Sequence, residues 1–246
     1  MTAGVVVHPD PASGGRAVAQ RLRELAAAAE RARGRFVVGV SGGESPEPLF
    51  RALAAVPETA GWSVFWCDER RVPPEDPRSN YGLALRGWLE PAHVPRERTF
   101  PIPVDRPAEE AAADYERTIR TYFDAPPAPA ESGPTFDALV LGVGPDGHTA
   151  SLFPGSAELA ATGRWVLGVP HPSRPPYVPR VSLTLEAIAA SRTVLFLAWG
   201  EGKRAILARL FADPGRGGPR GELPAARVRA REAVEWHIDR AAVPPP

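Results

Sequence analysis

The sequence predicts an α/β fold: a doubly wound, mostly parallel β-sheet with helices on both faces. Several segments are continuous apolar runs rich in β-branched residues, which is typical of strands buried on both sides. Helical segments alternate with these runs, as in parallel sheets. The 246 residues are 43% hydrophobic, enough to bury a large core. We therefore predict one domain over residues 4–239 and a flexible tail at 240–246.

The predicted strands are short apolar runs that end in turn-forming residues. "GVVVH" is the first of them and "AVEWHID" the last. These runs lie at 4–8, 35–41, 62–69, 136–143, 164–170, 180–184, 193–199 and 233–239.

The predicted helices occupy Ala-rich and charged segments between these runs. They lie at 15–33, around 80–90, at 107–123 and at 202–211. A further helix is expected after "SGGES", with Ser45 as its N-cap and Pro46 as its first residue. The Pro-rich segment 125–134 is predicted to be a surface loop.

Composition excludes several classes of protein. The net charge is zero, which argues against nucleic acid as a partner. Cys67 is the one cysteine, so no disulfide framework or thiolate zinc site is possible, and we expect it to be buried. No segment resembles a signal peptide or a membrane span, so we expect a cytoplasmic protein, a monomer or small homo-oligomer.

The remaining histidines do not indicate a metal site. They lack paired ligand spacing, and we predict that they are structural or exposed. These are His8, His93, His171 and His237.

Four predicted strands end in polar or glycine-rich turns. Ligands of parallel sheets bind outside the carboxyl ends of the strands, so these turns are expected to meet at one edge. They are "SGGESP" at 41–46, "CDERRVP" at 67–73, "GVGPDGHT" at 142–149 and "GEGKR" at 200–204.

The turn at 142–149 matches a dinucleotide-binding fingerprint by spacing. Gly142, Gly144 and Gly147 spell G-x-G-x-x-G after an apolar run. That fingerprint also needs an acidic residue at the end of the next strand, and "GVPHP" has none. Pro145 also interrupts the glycine turn. The pattern therefore does not indicate a nucleotide cofactor.

Asp146 and His148 give the same turn two side chains that could take part in acid–base catalysis. Their spacing places them in or just before the first turn of a helix, whose dipole would favour a neutral imidazole. A neutral imidazole is what a general base requires. A structural histidine in a plain strand-to-helix turn is the alternative.

An anion-binding arrangement is predicted from three separate segments. Ser41, Gly42 and Gly43 offer a hydroxyl and backbone N–H groups before a helix. Lys203, the one lysine of the chain, opens another helix, and Arg180 precedes a strand. A tight turn and ordinary surface cations are the alternatives, but together these residues suggest a phosphorylated ligand.

The charged run after the third strand offers two further candidates. In an extended backbone, residues 68 and 70 point to one side, and 69 and 71 to the other. We predict that Asp68 and Arg70 face the ligand, although the pattern also allows Arg71 to face it instead. A solvated salt-bridge surface is the alternative.

These motifs, in this order, closely resemble those of the 6-phosphogluconolactonases of the pentose phosphate pathway. That family is grouped with glucosamine-6-phosphate deaminases (isomerases), and the resemblance covers about 4 to 239. It rests on "VSGGESP", "CDERRVPPEDPRSNYG", "GVGPDGHTASLFPGS" and "RVSLTLEAIAASRTVLFLAWGEGKRAIL". It implies a Rossmann-like fold, no cofactor, and hydrolysis of 6-phospho-D-glucono-1,5-lactone to 6-phospho-D-gluconate.

The resemblance also implies roles for individual residues. In the deaminases the aspartate and histidine of the D-G-H stretch are catalytic, and they match Asp146 and His148. The deaminases bind phosphate through the glycine-rich loop, an arginine and a lysine. These match the loop 41–43, Arg180 and Lys203.

Two segments depart from patterns in this group. The deaminases follow D-G-H with an Asn-Glu pair, whereas this chain has Leu152 and Phe153, which favours a lactonase. The first loop usually continues with Ser-Thr, whereas Glu44 stands here. A carboxylate beside a phosphate is repulsive unless it points away, so phosphate contacts from residues 44–45 are in doubt.

The resulting hypothesis is direct attack by water on the lactone. His148 would take a proton from water and return it to the ring oxygen, and Asp146 would orient His148. Arg70 would stabilise the oxyanion. An amino-sugar-phosphate deaminase or isomerase, and a non-catalytic sugar-phosphate sensor, remain alternatives.

Overall fold

The protein is built around two β-sheets. The computed structural model describes residues 4–124, 133–212 and 223–244. In chain order, its strands are β1 (Gly4–His8), β2 (Val37–Val40), β3 (Ser63–Trp66), β4 (Asp68–Arg70), β5 (Thr99–Phe100), β6 (Ala138–Gly142), β7 (Val166–Val169), β8 (Arg180–Leu183), β9 (Thr193–Ala198) and β10 (Ala233–Asp239).

The larger sheet has seven strands in the order β1-β10-β9-β6-β2-β3-β5. Every neighbouring pair in it is parallel. All residues of β2 and β9 are buried, as expected for strands covered on both faces. The predicted α/β fold with a mostly parallel sheet is confirmed.

Helices connect the strands. They are α1 (Pro11–Arg33), α2 (Glu47–Leu53), α3 (Asn80–Ala84), α4 (Ala108–Phe123), α5 (Leu185–Ala189), α6 (Arg204–Phe211) and α7 (Pro224–Arg227). A π-helical turn, Leu85–Leu89, continues α3, and a 3-10 turn, Glu201–Lys203, precedes α6. No helix in the described ranges is both long and apolar enough to cross a membrane.

Two helix starts differ from the prediction. The first helix begins at Pro11 rather than at 15, because Asp10 accepts a hydrogen bond from the Ser13 N–H at 2.7 Å and Pro11 suits the first turn. The second begins at Glu47, with Pro46 as its N-cap, so the predicted cap by Ser45 is wrong.

The predicted single strand 62–69 is also wrong, because it divides between the two sheets at Cys67. The Cys67 N–H donates to the Val40 carbonyl at 2.8 Å, and the Cys67 carbonyl accepts from the Leu183 N–H at 2.8 Å. β3 therefore stays in the large sheet, while β4 joins β8 and β7 in a three-stranded antiparallel sheet. Cys67 is fully buried, as predicted.

The C-terminal segment and the Pro-rich loop were both predicted to lack regular structure. Where a flexible tail was expected after 239, Arg240–Ala242 form a 3-10 turn with Ala242 buried. The Ala242 N–H donates to Asp239 Oδ1 at 2.9 Å, which holds this turn. The predicted loop 125–134 lies mostly outside the described residues.

The strands β9, β6, β2 and β3 are neighbours in the middle of the parallel sheet. Their carboxyl ends lead into the four polar turns singled out in the sequence. The expected convergence of these turns on one sheet edge is therefore confirmed.

Candidate active site

A cleft of about 530 Å³ opens at this edge. Its walls come from the four turns and from the start of β8. The predicted residues that line it are Ser41, Gly42, Gly43, Asp68, Arg70, His148, Arg180 and Lys203. Asp146, the remaining predicted residue, lies behind His148 rather than on the cleft wall.

His148 lies in an irregular loop, so the prediction of a helix at this point is wrong. Gly147 has a φ of +88°, and Thr149 forms an isolated bridge with Leu152 instead of starting a helical turn. The pKa of His148 is still lowered, but the cause is burial and not a helix dipole. Asp146 opposes this effect and holds the pKa up.

Asp146 fixes the orientation of the His148 ring. Its Oδ1 lies 2.6 Å from His148 Nδ1 and also accepts the His148 backbone N–H at 3.1 Å. A carboxylate accepts only, so Nδ1 carries the proton in this pair and Nε2 is left as the basic nitrogen. Burial acts to raise the pKa of Asp146, but the contacts with His148 outweigh it and lower that pKa.

The turn before His148 needs glycine at position 144. The Gly144 N–H donates to the His148 carbonyl at 2.8 Å, which folds the loop back on itself. A Cβ built on Gly144 would overlap the His148 ring. The second glycine of the apparent dinucleotide fingerprint is therefore required for a close approach of the imidazole.

The β4 side chains alternate as predicted. Asp68 and Arg70 line the cleft, and Arg71 is not among the residues of its wall. Glu69 is buried and accepts the backbone N–H groups of Asn80 and Tyr81, each at 2.7 Å. Glu69 thus anchors the start of α3, whose first residue contacts Asp68.

Two residues that hold Asp68 escaped sequence reasoning. Ser151 Oγ donates to Asp68 Oδ2 at 2.7 Å, and Asn80 Nδ2 lies 3.2 Å from Asp68 Oδ1. A Cβ on Gly42 would overlap the Asn80 side chain, so the phosphate-loop candidate packs directly on this network. Ser151 follows His148 in a run of reactive side chains, but nothing in the sequence alone connects it or Asn80 with Asp68.

Arg180 is the partner of Arg70 in the pairing of β8 with β4, and only 2% of its surface is exposed. Its Nη2 donates to the carbonyls of Arg174 and Pro176 at 3.2 and 3.1 Å. Its guanidinium carbon also lies 5.2 Å from the centre of the Phe153 ring. A buried cation is thereby presented to the cleft with limited freedom to move.

Lys203 immediately precedes α6, as predicted. Its Nζ donates to the Val143 carbonyl at 2.7 Å. Burial lowers the pKa of Lys203, while the charges of Glu44 and Asp146 oppose that effect. Glu44 itself is exposed and lines the same cleft, so a carboxylate shares this wall with the lysine.

The loop 41–45 is held by a side chain that follows β9. Trp199 Nε1 donates to the Ser45 carbonyl at 2.7 Å, and Gly43 adopts a φ of +84° that favours glycine. Ser41 Oγ is buried, and no imidazole of the described chain lies within hydrogen-bonding distance of it.

The other histidines lie apart from the cleft. His8 and His237 are buried and pair through Nε2 and Nδ1 at 3.0 Å, whereas His93 and His171 are exposed. Over 4–124, 133–212 and 223–244, no group of three His, Cys, Asp or Glu side chains is arranged to hold a metal ion.

Comparison with known proteins gives consistent matches over nearly the whole chain. The family model for glucosamine-6-phosphate isomerases/6-phosphogluconolactonase matches residues 9–236. The 6-phosphogluconolactonase of Rattus norvegicus is 39% identical over 246 residues, covering 97% of this chain and 91% of the relative. That of Homo sapiens is 39% identical over 236 residues, covering 93% and 88%. The solved 6-phosphogluconolactonase from Trypanosoma cruzi has a TM-score of 0.85 at 27% identity, covering 98% and 96%.

Proposed function

The chain belongs to the glucosamine-6-phosphate isomerase/6-phosphogluconolactonase family, and we propose that it hydrolyses 6-phospho-D-glucono-1,5-lactone to 6-phospho-D-gluconate in the pentose phosphate pathway. Relatives named 6-phosphogluconolactonase match more than nine-tenths of the chain, which supports this enzyme class, a carboxylic ester hydrolase.

One observation carries the proposed chemistry: a partly buried imidazole, oriented by a carboxylate, on the wall of a cleft that cations also line. His148 Nε2 takes a proton from a water molecule as its oxygen attacks the lactone carbonyl carbon. The tetrahedral intermediate then breaks its bond to the ring oxygen. The proton on His148 passes to that oxygen, so the product is the free acid and the imidazole is neutral again.

The proposed roles of the cations follow from their positions. Arg70 lines the cleft on β4 and is our candidate for stabilising the oxyanion. Lys203, Arg180 and the loop 41–43 offer the N–H donors that a phosphate group needs. The site thus recognises a small sugar phosphate, and no step requires a cofactor.

Water is a better candidate nucleophile than Ser41. A serine hydroxyl must be activated by a neighbouring base, and Ser41 Oγ has no imidazole at hydrogen-bonding distance in the described structure. His148 instead uses its Nδ1 on Asp146 and keeps Nε2 for the reaction. We therefore propose a mechanism without an acyl-enzyme intermediate.

The lactonase is favoured over the deaminase by the segment after His148. Leu152 and Phe153, where the deaminases have an Asn-Glu pair, are 0% and 1% exposed and belong to the core. The Phe153 ring lies 5.0 Å from that of His148, which leaves an apolar contact where an acid would act.

Assays on the two substrates separate these activities. The protein should accelerate opening of 6-phosphogluconolactone well above the spontaneous rate and release no ammonia from glucosamine 6-phosphate. Ammonia release without lactone opening would favour the deaminase. The absence of both reactions would favour a non-catalytic sensor.

The cytoplasmic location, the absence of a nucleic-acid partner, and a monomeric or small homo-oligomeric state stay predictions from the sequence.

A further inference from the structure

Arg174 contacts the carboxylate that orients His148. Its Nε lies 3.1 Å from Asp146 Oδ2, while the other oxygen, Oδ1, binds the imidazole. Arg174 belongs to the loop between β7 and β8 and does not line the cleft. The two oxygens of Asp146 are thus divided between a cation and the candidate base.

The loop that carries Arg174 is itself fixed by a cleft residue. Buried Arg180 donates to the backbone carbonyls of Arg174 and Pro176. The side chain of Arg174 therefore starts from an anchored backbone, although 57% of it is exposed. Contacts run from His148 through Asp146 and Arg174 to Arg180.

We propose that Arg174 is a positioning residue, which holds the Asp146 carboxylate in line with His148 and offsets part of its negative charge. The inference rests on the proposed role of His148 as the base. With Arg174 in place, Asp146 orients the ring without making it so basic that it stays protonated. A neutral imidazole is the form that can accept a proton from water.

Other charges act on His148 from the elements around it. Asp146 and Asp68 hold its pKa up, whereas Arg180 and burial lower it. Lys203 interacts with the charge of Asp146 from the start of α6. Arg174 differs from the cations Arg180 and Lys203 because it forms an ion pair with Asp146 and does not line the cleft.

Removal of Arg174 has a defined electrostatic consequence. An unpaired Asp146 would attract the protonated imidazole more strongly, so the pKa of His148 would rise. The acid limb of the pH profile of kcat/KM, where protonation of the base lowers the rate, would then move to higher pH. Because Arg174 is largely exposed, solvent screens its charge, and we expect a shift of about half a pH unit.

The test compares three variants by the pH dependence of kcat/KM for lactone hydrolysis, with the spontaneous rate subtracted. Arg174→Gln should move the acid limb upward and lower kcat about threefold to tenfold, with little change in KM. Arg174→Lys keeps the charge and should leave the limb within about 0.2 pH units of the wild type. Tyr177→Ala is the control, because Tyr177 lies on the same loop with 72% of its surface exposed.

Either of two results would overturn the inference. One is a loss of rate in Arg174→Gln that is equal at every pH, with the limb unmoved, as a merely structural role predicts. The other is an equal shift of the limb in Tyr177→Ala. A fully active His148→Gln would contradict the proposed base itself, whereas an inactive His148→Gln with an unmoved limb in Arg174→Gln would contradict only the inference.

Discussion

Gly144 lies so close to His148 that a methyl group on Gly144 would overlap the imidazole ring. The contact explains why a glycine precedes Asp146 in the loop, and it links the backbone of the turn to the orientation of the candidate base. The Gly144 N–H also binds the His148 carbonyl, so both the ring and the backbone of His148 depend on this position.

Gly144→Ala should therefore impair catalysis more than folding. The added methyl group must displace the ring from Asp146, and a displacement of about 1 Å can lower kcat by up to about a hundredfold. Steady-state kinetics and thermal unfolding of the variant check this. Gly61→Ala is the matched control, because a Cβ there meets nothing within 4 Å. Wild-type kcat in Gly144→Ala would show that the ring can shift without consequence.

Lys203→Ala should weaken binding of the phosphorylated substrate. Loss of a charge-assisted contact to phosphate is expected to raise KM about tenfold or more, with a small effect on kcat. The unphosphorylated gluconolactone, which lacks the group that Lys203 would bind, should show no such change. Arg98→Ala, which removes an exposed cation outside the cleft, is the control. A fall in kcat at constant KM would contradict the phosphate role.

The buried pair of His8 and His237 should make stability depend on pH. Burial, and then the charge of His237, lower the pKa of His8 below its ordinary 6.5. The unfolded chain therefore binds a proton at a pH where folded His8 does not, so the free energy of unfolding falls as pH drops below about 6.5. The slope from this residue is at most about 1.4 kcal/mol per pH unit.

Urea unfolding at about pH 7.5 and pH 5.5 measures this effect. His8→Gln should lose less stability between the two values than the wild type loses. His148 is present in both proteins, so the difference reports the contribution of the His8–His237 pair. An identical loss in the two proteins would assign the dependence to other groups.

The meeting of the polar turns at one edge of the sheet, and the alternation of side chains along β4, could be predicted because both follow from general rules of β-sheet geometry. Parallel strands place their carboxyl ends together, and successive side chains of a strand face opposite sides. This alternation alone predicts that Asp68 and Arg70 face one side of the strand. The break at Cys67 could not be predicted, because hydrogen bonds to Val40 and Leu183, distant in the sequence, divide the strand.

The surroundings of His148 were harder to predict. "DGHTAS" resembles the start of a helix, yet the positive φ of Gly147 and the bridge between Thr149 and Leu152 give a loop. The pKa of His148 is still lowered, but by burial, which depends on tertiary packing. Arg174 carried no signal, since it stands among prolines 28 positions from Asp146 and only the fold brings the two together.

The most direct test of the account is the rate of 6-phosphogluconolactone hydrolysis by His148→Gln, measured above the spontaneous background. Gln is close in size and cannot accept the proton from water as imidazole does. We expect kcat to fall by about two to four orders of magnitude, with thermal unfolding near that of the wild type. A correctly folded His148→Gln with kcat within about tenfold of the wild type would contradict His148 as the base.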